Sequence, residues 1–463
     1  MKTTAKRGLV VLILVFAVLG GMVFLGVKLA LNGGEWTMLR ANKHLIKNGS
    51  FIAAGNILDR NGEILAETVD GERVYNNSER IRKATLHIVG DSEGYISSGV
   101  QTAYKRELTG YSYVTGIFSL KKYGRGNDVT LTLDSTVCAT ALDKLSNRKG
   151  TVAVYNYKTG ELICSVSTPS FDIRNKPDTA TIEKNENGAY SGLYMNRLLD
   201  GLYTPGSTFK IITTASAVEN KTDISSWEYT CTGETVINGV KVTCPHSHGK
   251  LDFKSAFAQS CNCAYAHLAV EIGKESLTST AKEFGFGKSF SFGNMMTKPS
   301  RIDLSEAEKS DLAWAGVGQY TTLVNPYHML TVVGAIANKG TAVLPYVVSE
   351  VRSPSGKITL KTTAETQDYI DENTANLLCE MMRNNVKSNY GDWNFNGLEM
   401  CGKTGTAEVS ENDEPHAWFV GFSKKKDCPL AVVVIVENGG WGSSAAIPIA
   451  SAVMNEAYKV ISC

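Results

Sequence analysis

The chain has 463 residues, 43% hydrophobic and 20% charged, with a net charge of +1. That leaves room for two or more domains around a large core, and no charge excess points to nucleic acid. No zinc-finger ladder, Walker loop or dinucleotide glycine fingerprint stands in a credible context, and no internal repeat is found.

Lys2, Lys6 and Arg7 precede an uncharged run from Gly8 to Val27, rich in Val, Leu, Ile and Phe. Such a run, at a 1.5 Å rise per residue, crosses a hydrocarbon core of about 30 Å. A cleaved signal would have a shorter apolar region and a small-residue cleavage site. The run therefore predicts an uncleaved, single-pass anchor at 8–27. The positive charges before it put the short tail 1–7 in the cytoplasm and the remainder outside.

A polar linker follows over 32–49. Gly55 to Ala66 reads as strand, turn at Asp59 to Gly62, and strand. Residues 70–128 are mixed and polar. Asp128 to Asp134 alternates like a strand, and Val137 to Leu145 looks like a short helix. Thr151–Tyr155 and Glu161–Ser167 form a hairpin, and 173–190 is a polar excursion.

Pro205 and Gly206 then give a turn signal, and Phe209, Ile212, Ala215 and Val218 recur at helical spacing behind it. Ser207 is expected in the first helical turn, where free backbone N–H groups and the helix dipole favour developing negative charge. Lys210 shares its face three residues on. A serine hydroxyl needs a base within reach to become a nucleophile. The Ser-x-x-Lys spacing alone is weak. It recurs at Ser119/Lys122, Ser146/Lys149, Ser247/Lys250, Ser279/Lys282 and Ser423/Lys426, without that context.

Residues 222–249 are loop-rich, and 251–272 carry Ser260-Cys261-Asn262. Trp314–Tyr320 precedes a helix from about 326 to 338. The last third reads as a sheet: Cys401 to Glu408, then Ala417–Phe422 paired with Leu430–Val436, closed by a helix over 447–460. The pattern is that of an α+β fold, helices packed on an antiparallel sheet.

Three short patterns thus stand in order: Ser207-x-x-Lys210, Ser260-x-Asn262 and Lys403-Thr404-Gly405-Thr406. The trio, with Ser-Asp-Asn as its usual middle member, marks penicillin-binding proteins and class A β-lactamases. Further stretches agree in order, among them Gly55-x-Ile57-x-Asp59-Arg60-Asn61-Gly62, Pro169-Ser170-Phe171-Asp172 and His416-Ala417-Trp418-Phe419-Val420-Gly421-Phe422. The chain resembles a class B penicillin-binding protein, a monofunctional D,D-transpeptidase. It looks like the compact subtype, with a short module at 28–149 before a transpeptidase domain at 150–463 of serine transpeptidase/β-lactamase-like fold. It departs from the family in having Ala54 where arginine is usual, and Cys261 inside the second motif.

The resemblance implies that Ser207 attacks the penultimate D-Ala carbonyl of a peptidoglycan stem peptide ending in D-Ala-D-Ala. Lys210 is then the base, its pKa lowered by Lys403 and partial burial. Ser260 relays a proton to the departing amine, and Asn262 orients the substrate amide. Lys403 and Thr404 hold the terminal carboxylate. Gly405 admits the substrate backbone beside the strand, and the N–H groups of Ser207 and Thr406 form an oxyanion hole. β-Lactams are expected to acylate Ser207. A membrane glycan polymerase is the implied partner, because no glycosyltransferase module is recognised in the chain. The competing readings are a membrane-anchored β-lactamase and a non-catalytic β-lactam sensor or cell-wall scaffold.

Cys231, Cys244, His246, His248 and Cys261 cluster near the second motif. They admit three readings: a structural zinc site steadying that loop, a Cys231–Cys244 disulfide, or buried thiols beside surface histidines. No cofactor is needed for the chemistry itself. Cys138, Cys164, Cys379 and Cys401 are expected as buried small hydrophobes.

Overall fold

The computed structural model describes residues 2–37 and 54–461, less 110, 113–116, 119–124, 186–187 and 411–412, together with short strands at 46–47 and 50–51. The polar linker expected over 32–49 lies mostly outside these residues. Its first part, to Thr37, continues the amino-terminal helix α1 (Lys2–Thr37). Within α1, Lys6–Lys28 is long and apolar enough to cross a membrane, and its side chains are exposed.

After α1 the chain builds a first sheet. Strands β1 (Ile57–Leu58), β2 (Ile64–Val69), β3 (Glu72–Tyr75) and β4 (Asp128–Leu131) lie in it. Asp59 fixes the β1–β2 turn by accepting from the backbone N–H groups of Asn61 and Glu63 (2.8 and 2.9 Å). Helix α2 (Ser135–Leu145) follows, capped by the Asp134 carboxylate. The expected hairpin is β5 (Gly150–Asn156) and β6 (Leu162–Thr168).

Helix α3 (Lys210–Asn220) comes next. The stretch 251–272 then folds as two helices, α4 (Phe253–Ala258) and α5 (Asn262–Ile272). Helix α6 (Pro326–Ala337) leads to β7 (Val348–Arg352) and β8 (Ile358–Lys361), and α7 (Glu372–Asn385) precedes β9 (Met400–Ala407). Strands β10 (His416–Ser423) and β11 (Leu430–Val436) and helix α8 (Ile447–Ile461) finish the fold.

The central sheet is antiparallel, in the order β6-β5-β11-β10-β9. Its middle strand β11 reads Leu-Ala-Val-Val-Val-Ile-Val, and every residue is fully buried. A β-branched run without alternation belongs to a strand covered on both faces. Helix α6 packs on the sheet from one side, α2 and α8 from the other. Strand β9, with the third motif, is left at the edge. The first sheet runs β8-β7-β4-β1-β2-β3, so two of its strands come from residues 348–361. The arrangement is α+β, as expected.

Candidate active site

Gly206 makes a turn that a side chain would block. Its φ is +52°, and a Cβ there would lie 2.5 Å from the Thr406 carbonyl oxygen. The 3₁₀ turn Gly206–Thr208 then sets Ser207 just ahead of α3, whose first residue is Lys210. Thr208 Oγ1 pins the turn by donating to the Pro205 carbonyl (2.8 Å). Trp418 Nε1 on β10 donates to the Thr204 carbonyl (3.0 Å).

The turn rests on β9, and Gly405 lies at that contact. A Cβ at Gly405 would lie 2.7 Å from the Pro205 oxygen and 2.9 Å from Thr208 Cγ2. The missing side chain therefore makes room for the Ser207 turn itself.

The second motif sits in the break between α4 and α5. Ser260 holds φ +52°, uncommon for a non-glycine residue. Lys210 and Lys403 are both fully buried. Lys210 Nζ donates to Ser260 O (2.6 Å), Asn262 Oδ1 (2.8 Å) and Ser260 Oγ (3.3 Å). Lys403 Nζ donates to Ser260 Oγ (2.9 Å) and to the Thr404 carbonyl (3.0 Å). The Ser260 hydroxyl thus lies between two amines. Asn262 Nδ2 donates to the Thr243 carbonyl (2.9 Å), which fixes the amide.

Burial brings Lys210 down to about 8. It also holds Lys403 well below the ordinary lysine range, and there the charge of Lys210 adds to the effect. The lowering of Lys210 is thus led by burial, and the repulsion between the two amines is felt at Lys403. Buried amines with displaced pKa values are a common mark of a functional site.

A cleft of about 560 Å³ opens over the turn, lined by Ser207, Ser260, Asn262, Thr404, Thr406 and Trp441 among others. Lys210 and Lys403 lie beneath it. Lys403, expected to hold the substrate carboxylate by its charge, is buried, and Thr404 and Thr406 are the members of the third motif at the wall. Trp314, Gln319 and Trp441 also line the cleft. The sequence reading missed them, because isolated loop or helix-end residues carry no periodic signal.

The cysteine cluster adjoins this floor. Donor atoms of Cys231, Cys244, His248 and Cys261 all lie within 4.8 Å of one another. The separations are 3.9 Å for Cys231–Cys244, 3.7 Å for Cys244–Cys261 and 3.4 Å from Cys231 Sγ to His248 Nδ1. His246 stands outside the group, its ring 4.5 Å from that of His248, and both histidines line the cleft. Backbone N–H groups of Cys263 and Ala264 donate to the sulfurs of Cys244 and Cys261, both at 3.4 Å. The Cys231 and Cys244 thiols are not bonded: 3.9 Å far exceeds the ~2.05 Å of a disulfide. Cys138, Cys164 and Cys401 are buried free thiols as expected, and Cys379 is half-buried.

Residues 150–455 match the family model described as penicillin binding protein transpeptidase domain. The peptidoglycan D,D-transpeptidase PbpA of Mycolicibacterium smegmatis is 29% identical over 445 residues, covering 86% of this chain and 88% of that protein. The ceftriaxone acyl-enzyme complex of penicillin-binding protein A from M. tuberculosis superposes with a TM-score of 0.77 at 25% identity, covering 88% of this chain and 98% of that one. The D,D-transpeptidase domain of a peptidoglycan glycosyltransferase from Eggerthella lenta superposes at 0.75 with 28% identity, over 88% and 98% of the two chains. With two buried lysines meeting one serine hydroxyl under a cleft that exposes another, and with these likenesses along most of its length, the chain belongs to the penicillin-binding protein transpeptidase family as a class B penicillin-binding protein.

Proposed function

We propose that this serine-type D,D-transpeptidase cross-links peptidoglycan stem peptides through a Ser207 acyl-enzyme. Ser207 Oγ attacks the penultimate D-Ala carbonyl carbon, forming a C–O bond as the C–N bond to terminal D-Ala breaks. The three acceptors around Lys210 Nζ suit an ammonium at rest. To act as base it gives up one proton and turns the freed lone pair to Ser207, which a pKa near 8 allows at working pH. Ser260, held between the amines, passes the proton to the leaving nitrogen. Ser207 and Thr406 N–H groups stabilise the oxyanion, at about 3–4 kcal/mol per donor in comparable acyl transfers. Thr404 Oγ1 binds the terminal carboxylate, and Lys403 supports it from below. An amine of a second stem peptide then displaces Ser207, which takes back its proton. β-Lactams mimic the donor and stop at the acyl-enzyme.

The observation that carries this reading is the junction of Ser260 with Lys210 and Lys403 beneath Ser207. The test is labelling with a fluorescent penicillin. The parent is expected to gain one covalent label on Ser207, stable for many minutes, and Ser207→Ala none. Turnover of the label within seconds would favour a β-lactamase, and labelling of the alanine variant would overturn the assignment.

The likeness to penicillin-binding proteins brings no cofactor with it, yet the cysteine cluster suits zinc. A tetrahedral site with Zn–S of about 2.3 Å has S···S edges of ~3.8 Å, and the two edges at Cys244 are 3.7 and 3.9 Å. We propose that Cys231, Cys244, His248 and Cys261 hold a structural zinc, and that the metal would cross-link the strand Glu228–Cys231 to the loop bearing Ser260 and Asn262. The N–H donors on the sulfurs suit thiolate ligands. Purified protein is expected to carry about one zinc per chain, and chelation or Cys261→Ala to lower the Tm by several degrees. A metal-free protein whose Tm a chelator leaves unchanged would refute it.

We also propose that α1 anchors the chain once in the cytoplasmic membrane with its bulk outside, supported by Lys2, Lys6 and Arg7. In this reading 28–149 supports a catalytic unit at 150–463, and a membrane glycan polymerase supplies the strands to be cross-linked.

A further inference from the structure

Strand β9 is an edge strand, with a row of backbone groups turned away from β10. Residues 402, 404 and 406 present this outward row. Most of it is already engaged. Asn385 Nδ2 donates to the Gly402 carbonyl (3.0 Å), Lys403 Nζ to the Thr404 carbonyl (3.0 Å), and the Thr404 N–H donates to Tyr390 Oη (3.2 Å). An edge capped in this way is closed to an added strand at Thr404. Asn385 ends α7, and Tyr390 closes the π-helical segment Val386–Tyr390 that prolongs it. Such π-helical segments are frequent at functional sites. Asn389 in the same segment donates to the Ala258 carbonyl (2.7 Å), at the end of α4 and two residues before Ser260. One short segment therefore touches both the strand of the third motif and the loop of the second.

The Thr404 hydroxyl also donates to the Tyr390 phenol oxygen (3.1 Å), so a carboxylate that draws the threonine proton into the cleft reverses this bond. A phenol oxygen that accepts the Thr404 N–H has its own proton free. Burial pushes this phenol above its ordinary pKa, so it keeps that proton, and its ring packs edge-on against Phe419 with centroids 6.4 Å apart. When Thr404 faces a carboxylate, its hydroxyl must donate into the cleft. The proton between the two oxygens is then the tyrosine's.

We propose that Tyr390 is a positioning residue for carboxylate recognition: its hydroxyl donates to Thr404 Oγ1, turns the threonine proton toward the donor's terminal carboxylate, and closes the Thr404 N–H to strand pairing. It touches no reacting atom. The inference rests on Ser207 acylation as proposed above.

The experiment compares acylation rate constants for a penicillin with a free carboxylate and for its methyl ester, in the parent, Tyr390→Phe, Thr404→Ala and the double variant. The parent is expected to prefer the acid. Tyr390→Phe is expected to shrink the acid-to-ester ratio about tenfold, and to add nothing further once Thr404 is alanine. A ratio unchanged in Tyr390→Phe, or a loss equal for acid and ester, would overturn the proposal by leaving the phenol only a packing role. So would losses that add independently in the double variant. The ratio is read on the folded, acylating fraction, so partial misfolding does not imitate the effect. Should Tyr390→Phe fail to fold, 3-fluorotyrosine at position 390, a more acidic phenol of nearly the same size, replaces it; a ratio identical to the parent's would then refute the proposal. Failure of the underlying reading looks different: the parent itself would not be acylated at Ser207.

Discussion

At the scale of single residues, the site depends on placing two lysines where water cannot reach. Lys210 has its pKa brought to about 8 from 10.5 by burial. The sign follows from linkage: the unfolded chain binds this proton more tightly, so the lysine costs stability below pH 8, and the cost fades as pH rises toward 10.5. The same shift sets activity, because only the neutral amine accepts a proton. Acylation of the parent by a penicillin is expected to rise with unit slope on a logarithmic scale from pH 6 and to level near pH 8. A stopped-flow profile over that range checks it, and a flat profile would exclude Lys210 as the base. The choice of Lys210 was legible in its spacing from Ser207. Its partners were not, because a sequence does not say that Nζ turns to Ser260 and Asn262.

At the scale of elements, the decisive contact is between the Ser207 turn and β9. Gly405 and Gly206 let the two backbones approach within van der Waals distance. Gly405→Ala is therefore expected to push the turn off the strand and slow acylation at least a hundredfold, with a small loss in Tm, measured by penicillin acylation and thermal melting. Wild-type rates in that variant would show that the turn has slack. The strands of this region were readable in advance, since Leu430–Val436 is an unbroken apolar run, β-branched from Val432 on, and Ala417–Phe422 pairs beside it. The reason for Gly405 was not. Sequence presents a glycine in a strand as an open edge, and packing reveals what fills the space. Helix α7 was likewise missed, although its polar and apolar residues alternate at helical spacing, and with it the capping of β9 by Asn385 and Tyr390.

At the scale of the whole molecule, the first sheet joins distant parts of the chain. Strand β7 pairs with β4, matching Val348 with Leu131 and Val351 with Val129, so residues before 150 complete a surface that residues after 340 begin. A fragment starting at Gly150 would expose β7 as a bare edge and is expected to aggregate or melt at least 10 °C lower. A fragment starting at residue 38 keeps the pairing and is expected to stay soluble without detergent and to be acylated like the parent. Equal stability of the two fragments would show that the first sheet does not support the catalytic unit. By itself the sequence determined the long apolar amino-terminal helix, the main strands and helices, and the three motifs in order, because these depend on local composition and on spacing along the chain. Tertiary structure alone decided that Lys210 and Lys403 meet at Ser260, that Cys231, Cys244, His248 and Cys261 converge without His246, and that Tyr390 reaches Thr404. These are contacts between residues 13 to 143 positions apart, set by how helices and sheets pack, and no local pattern encodes the distance between them.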